Sequence, residues 1–300
     1  MTRSSKAAVV LALALLVPAE AARAQVVGLR FEKSIYADEK DVALKAPEGV
    51  ACTEGGALVI ADTGNARLLT YSYKDGVLGG GSPIKLPQLL QPTRLQLDKQ
   101  GDLLVLDRKA RKIGRVDVKR AFAGWLEVKG VADGSAVIPG SFKLDAADNV
   151  YLLDLAGRRV LLLDPTGKVT KEIPLPKEGE FTDIAVDASG KIYAVDGAHA
   201  AVWAAEKGAG AFQQLSKPMK DRMSFPAYIT VERGRLILVD QNGMGIVVLG
   251  PDGSYQGREL SIGWNDGQLY YPAQICISGS GEAFVADRQN NRVQVFAMKR

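Results

Sequence analysis

Short apolar or alternating runs recur along the whole chain, separated by clusters of Gly, Asp, Asn and Pro. The stretch "GALVIADTGNARLLTY" (56–71) reads as a strand, a four-residue polar turn and a second strand. "GEAFVADRQNNRVQVF" (281–296) spells the same hairpin near the other end. Aligning on the Asp that closes the first strand gives Asp62, Asp107, Asp154, Asp196, Asp240 and Asp287, at steps of 42–47 residues. One unit is written six times.

A further alternating strand precedes each Asp: "GVACT" (49–53), "RLQLD" (94–98), "SFKLD" (141–145), "DIAVD" (183–187), "YITVE" (228–232) and "QICIS" (274–278). After the turn come a third strand, such as "RVLLLD", and a weaker fourth containing "GWLEV", "KEIPL" or "AFQQL". Four short antiparallel strands per repeat predict an all-β chain, a six-bladed β-propeller of four-stranded blades. The Val, Ile and Leu runs suit sheets covered on both faces by their neighbours. The sixth repeat ends one strand short at "VQVFAMKR", while "VVGLRFEKSIY" (26–36) belongs to no complete repeat. The N-terminal strand is therefore predicted to complete the last blade and close the ring, which also removes an exposed edge.

Residues 1–24 do not fit the repeat. Arg3 and Lys6, then "AAVVLALALLV", Pro18 and a terminal "ARA" form the pattern of a cleaved secretory signal, leaving 25–300 as the propeller. The apolar run is too short to span a bilayer, so a periplasmic or secreted protein with no membrane span is expected. The formal charge of +4 falls to +2 without this leader. Export and this weak charge argue against a nucleic-acid partner.

The repeated Asp has a structural use. Across the turn stand Arg67 for Asp62, Lys112 for Asp107, Arg159 for Asp154 and Arg292 for Asp287, pairs that steady a hairpin neck. "ADTGNARLLTY" and "ADRQNNRVQVF" resemble the NHL repeat, in which Asp, a small polar turn with Asn, and Arg precede an apolar strand. The resemblance covers roughly 47–297 and implies a propeller. It implies no single activity, since NHL-like rings include protein-binding and RNA-binding members and related rings carry lyase or lactonase sites.

Departures from the repeat carry the functional candidates. Ala201 and Gly245 stand where Asp196 and Asp240 would find a cation, and their turns, "GAHA" and "QNGM", hold Asn242 and His199, the one histidine. One histidine excludes a three-histidine zinc site, and no Gly-x-Ser-x-Gly elbow accompanies it. No residue is assigned to catalysis or to a metal. A lactonase-like calcium centre needs only oxygen ligands near the axis, where the inner strands begin with Glu48, Arg94, Ser141, Asp183, Tyr228 and Gln274. The loop rim offers Arg94, Arg111 and Arg158 with Tyr228, Trp264 and Tyr270, residue types suited to recognition.

Cys52 and Cys276 fall on the inner strands of the first and last repeats with opposite parity, on facing surfaces of adjacent blades. A disulfide fastening the ring and a pair of buried thiols are both consistent with this placement. The overall expectation is an exported binding or scaffold module that meets a protein partner in the cell envelope through its loop rim and needs no cofactor. The alternative is a metal-assisted hydrolase or lyase, with calcium at the axial end.

Overall fold

A computed structural model describes residues 28–131 and 136–299; the leader proposed for 1–24 lies outside them. Six four-stranded antiparallel sheets form a ring of blades. Blade 1 runs Gly49–Cys52, Ala57–Asp62, Arg67–Lys74 and Val77–Ile84, from the inner to the outer strand. Blades 2 to 5 repeat this order, with inner strands Pro92–Leu97, Pro139–Leu144, Phe181–Val186 and Pro226–Glu232. Blade 6 takes Ile275–Ile277, Glu282–Asp287 and Arg292–Met298 from the C-terminus and its outer strand, Leu29–Ile35, from the N-terminus, in register from Leu29↔Met298 to Ile35↔Val293. The closure expected from the missing strand is the one observed.

Alternate residues of each strand face opposite neighbours, so the core is six layers, one between each pair of blades. Leu58 and Ile60 of blade 1 pack with Phe284 and Val293 of blade 6. Val59 and Ala61, one residue along, pack with Leu95 and Val105 of blade 2. Leu152 and Leu153 divide in the same way between blades 2 and 4. Both faces of every sheet are dry, which explains the near-continuous apolar runs. Cys52 and Cys276 are joined by a disulfide between the inner strands of blades 1 and 6, with Cα atoms 6.0 Å apart. This bond spans 224 residues of chain and fastens the ring beside the pairing of its two ends.

Among the described residues, no helix is long and apolar enough to cross a membrane.

Candidate functional site

The six hairpins that name the repeat open onto one face of the ring. In each, the Asp stands directly opposite the residue five positions on, from Asp62↔Arg67 to Asp287↔Arg292. The last turn residue has a positive φ in every blade: Ala66, Arg111, Arg158, Ala200, Met244 and Asn291. L-residues enter this region at a cost, and the Asp holds the turn there. Its carboxylate accepts N–H groups of its own turn, as from Ala110 to Asp107 at 2.7 Å. It also accepts from the connection that enters the same blade: Lys45 to Asp62, Gln91 to Asp107, Ile138 to Asp154, Glu180 to Asp196, Phe225 to Asp240 and Tyr270 to Asp287. The repeated Asp is a stitch between two loops, buried to 2 % exposure or less in all six blades.

The cation opposite follows the sequence in three blades. Arg67, Arg159 and Arg292 place Nε at 2.7, 3.0 and 2.8 Å from their Asp. Lys112 stands opposite Asp107 in register, but its Nζ lies 6.0 Å above the Trp125 ring. Arg67 continues to Asp38, whose burial pushes its pKa up but is outweighed by the Val42 and Lys40 N–H groups and the guanidinium, so the carboxyl lies below its ordinary value.

Asp196 and Asp240 are not the unpartnered carboxylates that Ala201 and Gly245 suggest. Arg258 reaches Asp240 at 2.8 Å from the outer strand of blade 5, supplying from a different position the charge that Gly245 lacks. Asp196 meets Nδ1 of His199 at 2.7 Å. His199 occupies the place of Asn65 and Asn290, each of which donates to its own Asp at 2.8 Å. Asn242 is exposed on the blade 5 turn.

The axis is filled by the chain's own polar side chains. Arg94 of blade 2 crosses it to the carbonyls of Ala273 and Ala227, at 2.8 and 2.9 Å. Gln274 of blade 6 donates to the carbonyls of Val50 and Leu95. Asp183 accepts from Ser141 and from the Ile229 N–H, and pairs with Lys143 Nζ at 3.2 Å. That ammonium lies 3.6 Å from the centroid of the Tyr228 ring, and Arg94 lies 5.2 Å from the same ring. Arg94 and Tyr228, expected both at the inner-strand starts and on the rim, and Gln274, expected at an inner-strand start, all lie at the axis, with Tyr228 and Gln274 buried. Nothing in the repeat pattern singles out Lys143 beyond its being the one charge at a strand position that the other blades fill with Ala51, Gln96, Ala185, Thr230 and Cys276. Calcium binding calls for several oxygen ligands and net negative charge. An axis with one carboxylate, itself neutralised by Lys143 and flanked by Arg94, does not fit that ion. Among the described residues, no three His, Cys, Asp or Glu side chains group as metal ligands.

Around the axial mouth the face is basic. The 24 residues of the six turns include Arg108, Lys109, Arg111, Arg158 and Arg288 and no carboxylate. Glu48, at the edge of the mouth, binds Arg108 and lies 3.6 Å from Arg288, tying together blades 1, 2 and 6. Arg158 donates to the carbonyls of Pro176 and Lys177 at 3.0 Å. A cleft of 300 Å³ between blades 2 and 3 is lined by Arg94, Arg108 and Arg111 with Ile138, Pro139 and Leu155. Six of the nine large exposed apolar side chains among the described residues lie on this face: Tyr36, Val42, Leu90, Leu155, Ile262 and Trp264. Trp264, 71 % exposed, stacks at 5.5 Å on Tyr270, which meets Tyr271. The opposite face is different in charge. Its inner hairpins carry Glu54, Asp98, Asp102, Asp145, Asp148 and Asp187.

Comparison with known proteins identifies the architecture. Residues 269–296 match the NHL repeat. No curated protein sequence matches the chain. Among solved structures, it is similar to a virginiamycin B lyase from Staphylococcus aureus, at 14% identity and TM-score 0.64 over 89% of this chain and 99% of that one. A gluconolactonase from Xanthomonas campestris shares 16% identity, with TM-score 0.65 over 92% and 99%. The PQQ-bound aldose sugar dehydrogenase of Streptomyces coelicolor shares 13%, with TM-score 0.64 over 91% and 98%. At these identities the likeness is one of fold. The chain is a six-bladed β-propeller whose sixth blade matches the NHL repeat and whose other five are built on the same stitched hairpin.

Proposed function

We propose that this propeller is an exported binding module that recognises an acidic protein surface in the cell envelope. The observation that carries the proposal is the cleft between blades 2 and 3, where Arg111 stands exposed beside Leu155 and no carboxylate lines the wall, with Arg94 and Arg108 alongside, held by axial carbonyls and by Glu48. Arginine forks suit carboxylates geometrically, and an apolar margin supplies the area that charge pairs alone do not. A basic turn face steers an acidic partner toward the cleft.

An enzymatic reading draws on the Asp196–His199 pair and on the lyase and gluconolactonase among the similar structures. Asn65 and Asn290 make the same contact as His199, which favours a turn-holding role for the imidazole.

Fluorescence anisotropy with a labelled peptide of alternating Glu and Leu tests the binding reading. Binding is expected to weaken with salt and to fall about tenfold in Arg108→Glu/Arg111→Glu. Arg233→Glu/Arg235→Glu, on the opposite face, is expected to leave it unchanged. Equal losses in the two double variants would contradict the proposal.

A further inference from the structure

Four blades complete their hairpin with a guanidinium of their own: Arg67, Arg159 and Arg292 from the third strand, and Arg258 from the outer strand of blade 5. Blade 4 does not. Its register partner is Ala201, and its outer strand is only Gln213–Gln214. Asp196 accepts the Glu180 and His199 N–H groups and meets the imidazole, which stands in for the Asn of blades 1 and 6. Among the described residues, no side chain stands in for the arginine.

A groove results. It has a volume of 450 Å³ and is lined by Asp196, Ala201, Trp203 and Gln214 of the blade, with Lys177 and Glu178 of the entering connection. In blades 1 and 6 the arginine bridges these same two elements. Arg67 runs from Asp62 to the Val42 carbonyl, and Arg292 from Asp287 to the carbonyls of Asn265 and Gln268. The groove of blade 4 therefore joins the two surfaces that a guanidinium bridges elsewhere in the ring.

We propose that this groove receives the guanidinium of an arginine side chain presented by a partner peptide, in the position that Arg67 and Arg292 occupy in their own blades. Asp196 offers Oδ2, the oxygen that Nε of Arg67 and Arg292 reaches in their own blades, to a charge-assisted hydrogen bond. Trp203 offers an aromatic wall, and cations are attracted to such rings. Asp196 and Glu178 set two carboxylates against the one ammonium of Lys177, an excess that one guanidinium would match. The inference is independent of the basic cleft of blades 2 and 3, whose chemistry is opposite.

The test is calorimetric titration of the mature protein with N-acetyl-arginine N-methylamide, against the citrulline analogue, which keeps the shape and lacks the charge. Saturable binding is expected at roughly millimolar affinity for a ligand of this size, with the citrulline probe about tenfold weaker or worse. Ala201→Arg is expected to fill the groove from within, abolishing binding and raising Tm. Glu178→Lys, at an exposed position, keeps the test decisive if the first variant does not fold, and is expected to weaken binding. Equal binding of the two probes, no saturation by either, or an undiminished arginine preference in whichever of these variants folds would overturn the proposal.

Discussion

Asp287 accepts from the Tyr270 N–H, Asn290, Arg292 and Gln294, all within 2.9 Å, and the contacts to Arg292 and Gln294 are buried. Truncating it leaves the buried Arg292 with only the exposed Asp266 carboxylate, 3.2 Å away, and a broken buried pair costs about 3–5 kcal/mol. Asp107 faces an exposed lysine that it does not bind, so Asp107→Ala loses mainly N–H acceptors, about 1–3 kcal/mol. Urea unfolding is expected to rank Asp287→Ala well below Asp107→Ala; equal losses would deny the arginine its part. On the opposite face, burial pushes the Asp145 and Asp187 carboxyls up, but Asn149, Ser189 and turn N–H groups outweigh it, leaving both below the ordinary 3.8. A lowered folded pKa contributes stability that is complete above the ordinary value and is lost as pH falls through the folded one. Tm is therefore expected to be insensitive to these groups near neutrality and to fall below about pH 4, which a melt series in acid buffers would show. The pairing of Asp with Arg was legible because five residues across a four-residue turn fixes the register. The axial Lys143–Asp183 pair was not, because periodicity gives the face of a strand and not which side chains meet across a ring.

At the scale of the strand and hairpin, blades 4 and 5 share the loss of a basic partner and solve it differently. Blade 5 recruits Arg258 from its outer strand, which also donates to the Arg222 carbonyl. Blade 4 keeps an imidazole and a groove. Arg258→Ala is expected to destabilise by about 1–3 kcal/mol, and Lys112→Ala by about 0.5 kcal/mol or less, measured by chemical denaturation. Comparable effects would mean that register, and not contact, decides the pairing. Strand positions were readable from alternation and turn residues. The substitution of one strand's arginine for another's was not, because it depends on how far the outer strand curls back over the turn.

Across the whole molecule, the ring is held by strand exchange between the termini, by the Cys52–Cys276 bond and by side chains that cross the axis. Parity brought the two cysteines to facing surfaces in the sequence; only the observed 6.0 Å separation meets the requirement of a bond. Reduction is expected to lower Tm, since removing a native disulfide commonly costs about 2–5 kcal/mol; an unchanged Tm would mean that strand exchange alone closes the ring. Because Lys143 already satisfies Asp183, Tm is expected to be the same with chelator and with added calcium, and a calcium-dependent rise would reinstate an axial cation site. The two faces then divide the work: acidic hairpins and capped turns on one, and a basic, partly apolar surface with its arginine cleft on the other. The most direct measurement is site-specific photocrosslinking in the producing cells, with the reactive side chain at Leu155 beside the cleft or at Val118 on the opposite face. A discrete protein adduct is expected from Leu155, lost in Arg108→Glu/Arg111→Glu, and none from Val118. No adduct from Leu155, or the same adduct from both positions, would contradict it.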